Sequence, residues 1–196
     1  MKVRVWDLPL RLFHWALVSL VAFSACTGLL GDELGAAVAP WHARSGYAIL
    51  SLLLFRLIWG WVGGTHARFA NFVHGPRHVW DYVRRALGGE KMRVPGHNPA
   101  GGWSVLAMLA SLLLQTGTGL FLVDADRAFQ APLAKYVSAH VAHALKEVHE
   151  GGFLVLAGLV LMHLAAIAYY FFAKGENLVR PMLTGDRELG IGDDRS

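Results

Sequence analysis

The chain has one cysteine, Cys26, in 196 residues. A lone thiol excludes an internal disulfide, a cysteine-ligated iron–sulfur cluster and a CxxCH site for covalent haem. Charge is scarce too: Asp, Glu, Lys and Arg make up 16%, against about 25% in soluble domains. It is absent where runs are longest. Leu12–Leu30, Gly101–Val123 and Gly151–Ala173 contain no charged residue, and Gly46–Gly63 contains only Arg56. No internal repeat or low-complexity tract is visible.

What remains is apolar, 55% of the chain. Each of the four blocks is about as long as a bilayer-spanning helix, the second by borrowing from Ala43–Ser45. The pattern predicts an all-α integral membrane four-helix bundle, one domain over residues 1–196. Its spans fall at about 11–31, 42–63, 101–123 and 149–173, with a polar, frayed tail from about 185. The basic start and the run ending in Phe23-Ser24-Ala25-Cys26 have the outline of a cleaved export signal. Phe23 suits such a box poorly and the apolar run continues to Leu30, so the block is read as a span that keeps His14.

A net charge of +4 raises the question of nucleic acid, but the placement of the charges answers it. Thirteen basic residues precede the first span, lie between the second and third, or follow the fourth. Only Arg127, Lys135 and Lys146 lie on the other two connections. Such alternation follows the positive-inside rule and predicts both termini and the long middle loop in the cytoplasm of a bacterial inner membrane, with no nucleic-acid partner. Within that loop Pro76 can open a helix with Val79, Trp80, Val83, Ala86 and Leu87 on one side and Arg77, Arg84 and Arg85 opposite. It reads as a short interfacial helix against membrane lipid, ended by Gly88-Gly89. Ser138–Val148 is a second amphipathic piece, leading into the fourth span.

Ten histidines are many for this length, and their depth matters more than their number. An imidazole in hydrocarbon is costly unless paired or ligated. His149 and His163 are fourteen residues apart, which in a helix returns to within about 40° of one face while climbing about 21 Å. Antiparallel spans put His42 at the level of His149 and His14 at the level of His163. Two such pairs suit two haems stacked along the membrane normal. Two axial imidazoles fill the coordination of a haem iron, leaving a centre for one-electron transfer. Fourteen residues after His14 comes Gly28, and fourteen after His42 comes Arg56. Gly28, Gly117 and Gly119 can admit a macrocycle, and Arg56 can hold a propionate. His140 and His143 are alternatives to His149 if its helix starts elsewhere; His66, His74, His78 and His97 fall in or beside the middle loop, where they could serve a quinone.

These residues bring the chain close to a known family. Trp6-Asp7 with Arg11-Leu12-Phe13-His14-Trp15, then His42 with Leu54–Gly60, Gly96–Gly101, Val148-His149-Glu150 with His163, and Asn177–Met182 follow in order. In these stretches the chain resembles the bacterial cytochrome b-561 family and the related cytochrome b subunits of nickel–iron hydrogenases. The resemblance implies two non-covalent b haems, ligated by His14, His42, His149 and His163. It also implies exchange of electrons with quinone and with a redox partner: a c-type cytochrome, a hydrogenase or another dehydrogenase. The Gly96–Gly101 stretch is closer to the hydrogenase-type and cytochrome c-partnered branch than to the superoxide-oxidising members. Two other functions compete. One is a stand-alone oxidoreductase that passes electrons from superoxide to quinone, although the outer connections offer few cations to steer an anion. The other is a haem-free transporter or metal-binding membrane protein using the same histidines.

Overall fold

The structure, a computed structural model, describes residues 2–88, 96–124 and 129–188. In chain order the elements are β1 (Lys2–Arg4), α1 (Leu8–Leu29), α2 (Gly31–Leu34), a 3-10 turn (Ala36–Val38) and α3 (Ala39–Val62). Then come α4 (Phe69–Phe72), α5 (Pro76–Leu87), α6 (Pro99–Gly119), β2 (Val123–Asp124) and β3 (Phe129–Gln130). A 3-10 turn (Ala134–Tyr136), α7 (Ala139–Lys174), α8 (Val179–Thr184) and β4 (Asp186–Glu188) complete it. Helices α1, α3, α6 and α7 are each long and apolar enough to cross a membrane. The protein is therefore an all-α, multi-pass membrane protein. Large apolar side chains stand outward along them, among them Ile58, Trp61, Leu154 and Leu161, which water would penalise and acyl chains would cover.

Three spans lie within a few residues of the pattern, and polar caps set the starts of two of them. Asp7 Oδ1 accepts the Leu10 amide at 2.8 Å and Pro9 occupies the first turn of α1. Asn98 Oδ1 accepts the Gly101 amide at 2.7 Å ahead of α6, with Pro99 as its first residue. The fourth differs. α7 begins at Ala139, where Ser138 Oγ accepts the Val141 amide, and runs unbroken for 36 residues. The amphipathic piece expected to lead into the span is its first three turns, since Ser138–Val148 has no Gly or Pro to break it.

The chain comprises two compact units. One contains Met1–Leu12, Leu57–Leu106 and Met162–Ser196; the other contains Phe13–Arg56 and Ala107–Leu161. The first is organised around Asp7, whose carboxylate accepts Trp59 Nε1–H at 3.1 Å and the Gly64 amide at 3.2 Å. Val5, Trp6, Ala67 and Phe72 are buried in it. β1 pairs antiparallel with β4, Val3 opposite Arg187, so Asp186–Glu188 are ordered where the composition predicted fraying. Gly185 makes this join possible. Its φ of +89° reverses the chain after α8, its carbonyl accepts the Val5 and Trp6 amides, and a Cβ there would lie 2.8 Å from the Trp6 carbonyl. Residues 189–196 of the tail lie outside the described residues, as do Gly89 and the rest of 89–95.

The second unit has its core in Ile49, Leu53, Leu109, Leu112 and Leu156. Its buried hydroxyls bond back to their own helices, as Thr116 does to the Leu112 carbonyl at 2.9 Å. A two-stranded piece, β2 with β3, closes the connection after α6.

Candidate cofactor site

His42 ends the first turn of α3, and His149 follows about 15 Å of helix in α7. The two rings lie together in the second unit, centroids 6.2 Å apart and planes crossed at 79°. His42 Nδ1 lies 3.0 Å from the Ser24 carbonyl, 3.3 Å from Thr27 Oγ1 and 3.4 Å from Ser24 Oγ, all on α1. His149 Nδ1 lies 3.0 Å from the Gln115 carbonyl and 3.1 Å from Thr118 Oγ1, both on α6.

These contacts determine the tautomer. A carbonyl oxygen can only accept, so each Nδ1 must carry a proton and donate it. Each Nε2 then keeps the lone pair that binds a metal. Two imidazoles bonded to one metal through Nε2 at about 2 Å have ring centres about 6 Å apart, the separation found. Glycine lets both rings in. A Cβ on Gly28 would stand 3.1 Å from His42 Cε1, and one on Gly119 would stand 3.4 Å from His149 Cε1. The pair would hold a haem between its two imidazoles, and the residues present fit that group. Among the described residues no group of three or more His, Cys, Asp or Glu is placed to hold a bare metal ion.

The other predicted residues are placed as follows. His14 is half-buried on α1, edge-on to Trp15 at 5.1 Å. Arg56 is 2% exposed, buried within the second unit. His163 is half-buried on α7, in the first unit. Gly117 faces open space, with nothing within 4 Å of a Cβ. His140 and His143 are exposed, and His143 pairs with Glu147 at 3.6 Å; His149 is the histidine set against His42. In the first unit the ring of His97 packs on Trp6 at 4.7 Å and Phe72 at 4.9 Å, and His74 stacks on His78 at 5.0 Å.

Comparison with known proteins gives the arrangement its context. The model of the family described as prokaryotic cytochrome b561 matches residues 5–185. The chain belongs to the prokaryotic cytochrome b561 family. This cytochrome is 27% identical to a "Probable Ni/Fe-hydrogenase B-type cytochrome subunit" of Azotobacter chroococcum mcd 1, covering 94% of its own length and 88% of the relative's. A protein of the same title from Azotobacter vinelandii gives the same identity and coverage. One from Rhizobium leguminosarum bv. viciae is 24% identical, over 95% and 89%. Membership makes the protein a membrane electron-transfer cytochrome with b-type haem.

Nothing in the sequence of this cytochrome directly marks Ser24, Thr27, Gln115 and Thr118 as partners of the histidines. The available signal was a Thr-Gly dipeptide inside two otherwise apolar spans, at Thr27-Gly28 and Thr118-Gly119. A glycine in an apolar span signals close approach, whereas a threonine there signals only a bond to its own turn.

Proposed function

We propose that this cytochrome carries two b haems and passes electrons between a redox partner at one membrane face and the quinone pool. A b haem supplies a centre that is reduced and oxidised by one electron. His42 and His149 are the ligands of one; the crossed rings with both Nδ1 protons donated to helix carbonyls are the observation that carries this reading. His14 and His163 are the ligands of the second, a pairing that rests on sequence: His163 follows His149 by fourteen residues in α7, and His14 precedes Gly28 by fourteen in α1. Arg56 is the propionate partner, a reading that rests on sequence: it follows His42 by fourteen residues in α3. Gly117 leaves space for a macrocycle edge.

The membrane is the bacterial inner membrane, with both termini in the cytoplasm, as the basic connections favour. Helix α5 lies on the inner leaflet, its Arg77, Arg84 and Arg85 exposed to headgroups and Trp80, 70% exposed, at the lipid boundary. The partner is a hydrogenase, in keeping with the titles of the relatives, ahead of a c-type cytochrome or another dehydrogenase.

A haem count tests the reading. A pyridine haemochrome assay on the purified chain should give two b haems per polypeptide, and His163→Ala should lower it to one. A wild-type count of zero or one, or a His163→Ala protein that keeps two, would refute it.

A further inference from the structure

The two halves of the histidine pair are built alike, although their sequences share only Thr-Gly-Leu. In α1 the carbonyl of residue 24, the hydroxyl of residue 27 and the bare Cα of residue 28 receive the ring of His42. In α6 the carbonyl of residue 115, the hydroxyl of residue 118 and the bare Cα of residue 119 receive the ring of His149. The offsets, zero, three and four, are identical, so one helical turn forms the same cradle twice.

The direction of the hydroxyl bonds is fixed. Thr27 Oγ1 donates to the Phe23 and Ser24 carbonyls, both at 3.0 Å. Thr118 Oγ1 donates to the Leu114 and Gln115 carbonyls, at 2.8 and 3.1 Å. With its single proton committed to the helix, each hydroxyl meets the imidazole as an acceptor. Each Nδ1–H is therefore shared between a carbonyl and a threonine oxygen. Both threonines are buried, 9% and 6% exposed, so water does not compete.

We propose that Thr27 and Thr118 are paired positioning residues that set the torsion and donor strength of the two axial histidines. The proposal rests on the haem reading of His42 and His149. An Nδ1–H bonded to two oxygens gives its ring partial imidazolate character, which strengthens the bond to ferric iron and lowers the reduction potential of that centre. The glycine below and the threonine beside each ring hold the planes crossed at 79°. Crossed axial imidazoles produce a highly anisotropic, large-g low-spin signal in electron paramagnetic resonance; parallel ones produce a rhombic signal.

The test uses the full-length cytochrome in detergent or nanodiscs, as wild type, Thr27→Val, Thr118→Val, the double Val variant, and Thr27→Ser and Thr118→Ser. Redox titration should move one of the two centres to higher potential in each Val variant, further in the double variant, with the other centre unmoved. The large-g signal should shift in the same variants, while haem content stays at two and the Ser variants behave as wild type. Val variants with two haems, unchanged potentials and an unchanged signal would overturn the proposal and leave the haem reading standing. Val variants that lose haem without the Ser variants restoring the wild-type potential would assign the threonines to folding alone and overturn it too. A wild-type protein with no haem would remove both.

Discussion

At the residue scale the site depends on how closely a ring can approach a helix. Gly28 holds the most sensitive position, because an added Cβ already stands 3.1 Å from His42 Cε1. Gly28→Ala asks the imidazole to yield by a few tenths of an ångström, whereas Gly28→Leu fills the space the ring needs. Gly28→Leu should lose the haem held by His42 while keeping the other, read as a halved haemochrome count; retention of both would show that the ring has room elsewhere. Gly158→Ala serves as the internal control, nine residues after His149 on the opposite side of α7 with nothing within 4 Å to disturb, and should keep two haems. Asp7 is the corresponding residue of the first unit, since one carboxylate caps α1 and accepts from both Trp59 and Gly64. Asp7→Ala removes the cap and leaves an indole N–H and an amide without their acceptor, a cost of about 1–3 kcal/mol. Thermal unfolding in detergent should show a lowered midpoint, and an unchanged one would mean that water or a neighbour replaces the carboxylate.

At the element scale, the four spans were legible because each is a nearly uncharged run, with polar caps at the starts of α1 and α6. Asp7, Asn98 and Gly175 are readable as stops and starts, and the helix ends follow them within a few residues. The start of α7 was not legible as such: Ser138–Val148 is amphipathic while the span behind it is uniformly apolar, so one helix presented two patterns. The histidine pair was readable from depth, since His42 and His149 each lie near the same end of antiparallel spans. Its cradles were not, because carbonyls carry no signature in a sequence and threonines inside apolar helices ordinarily bond only to their own turn. Nor was β4 readable, a polar three-residue strand whose pairing with Lys2–Arg4 depends on contacts across the length of the chain.

Helix α5 carries a pH prediction at this same scale. Burial, then the hydrogen bond between the Tyr82 and Tyr170 hydroxyls at 3.4 Å, pushes the Tyr82 phenol well above the ordinary tyrosine value. The neutral phenol is the form the fold favours. Its contribution to stability is complete below about pH 10, where the unfolded chain also keeps the proton, and is lost as pH rises from there through the raised folded value. Tyr82→Phe should therefore flatten the alkaline fall in thermal midpoint above about pH 10. An identical fall in both proteins would contradict this.

At the scale of the whole molecule, family membership and four apolar helices make this a membrane electron-transfer cytochrome, and the helices explain how a short chain serves that role. Imidazoles that would be costly in hydrocarbon gain their bonds from helix carbonyls and hydroxyls on one side, leaving a lone pair for metal on the other. On the proposed reading His42 and His149 hold the same haem. Reduced-minus-oxidised spectra with pyridine haemochrome counts on His42→Ala, His149→Ala and the double variant test it most directly. Each single variant should lose one haem of two, both should lose the same spectral component, and the double variant should still hold one. Single variants that lose different haems, or a double variant that holds none or two, would contradict it.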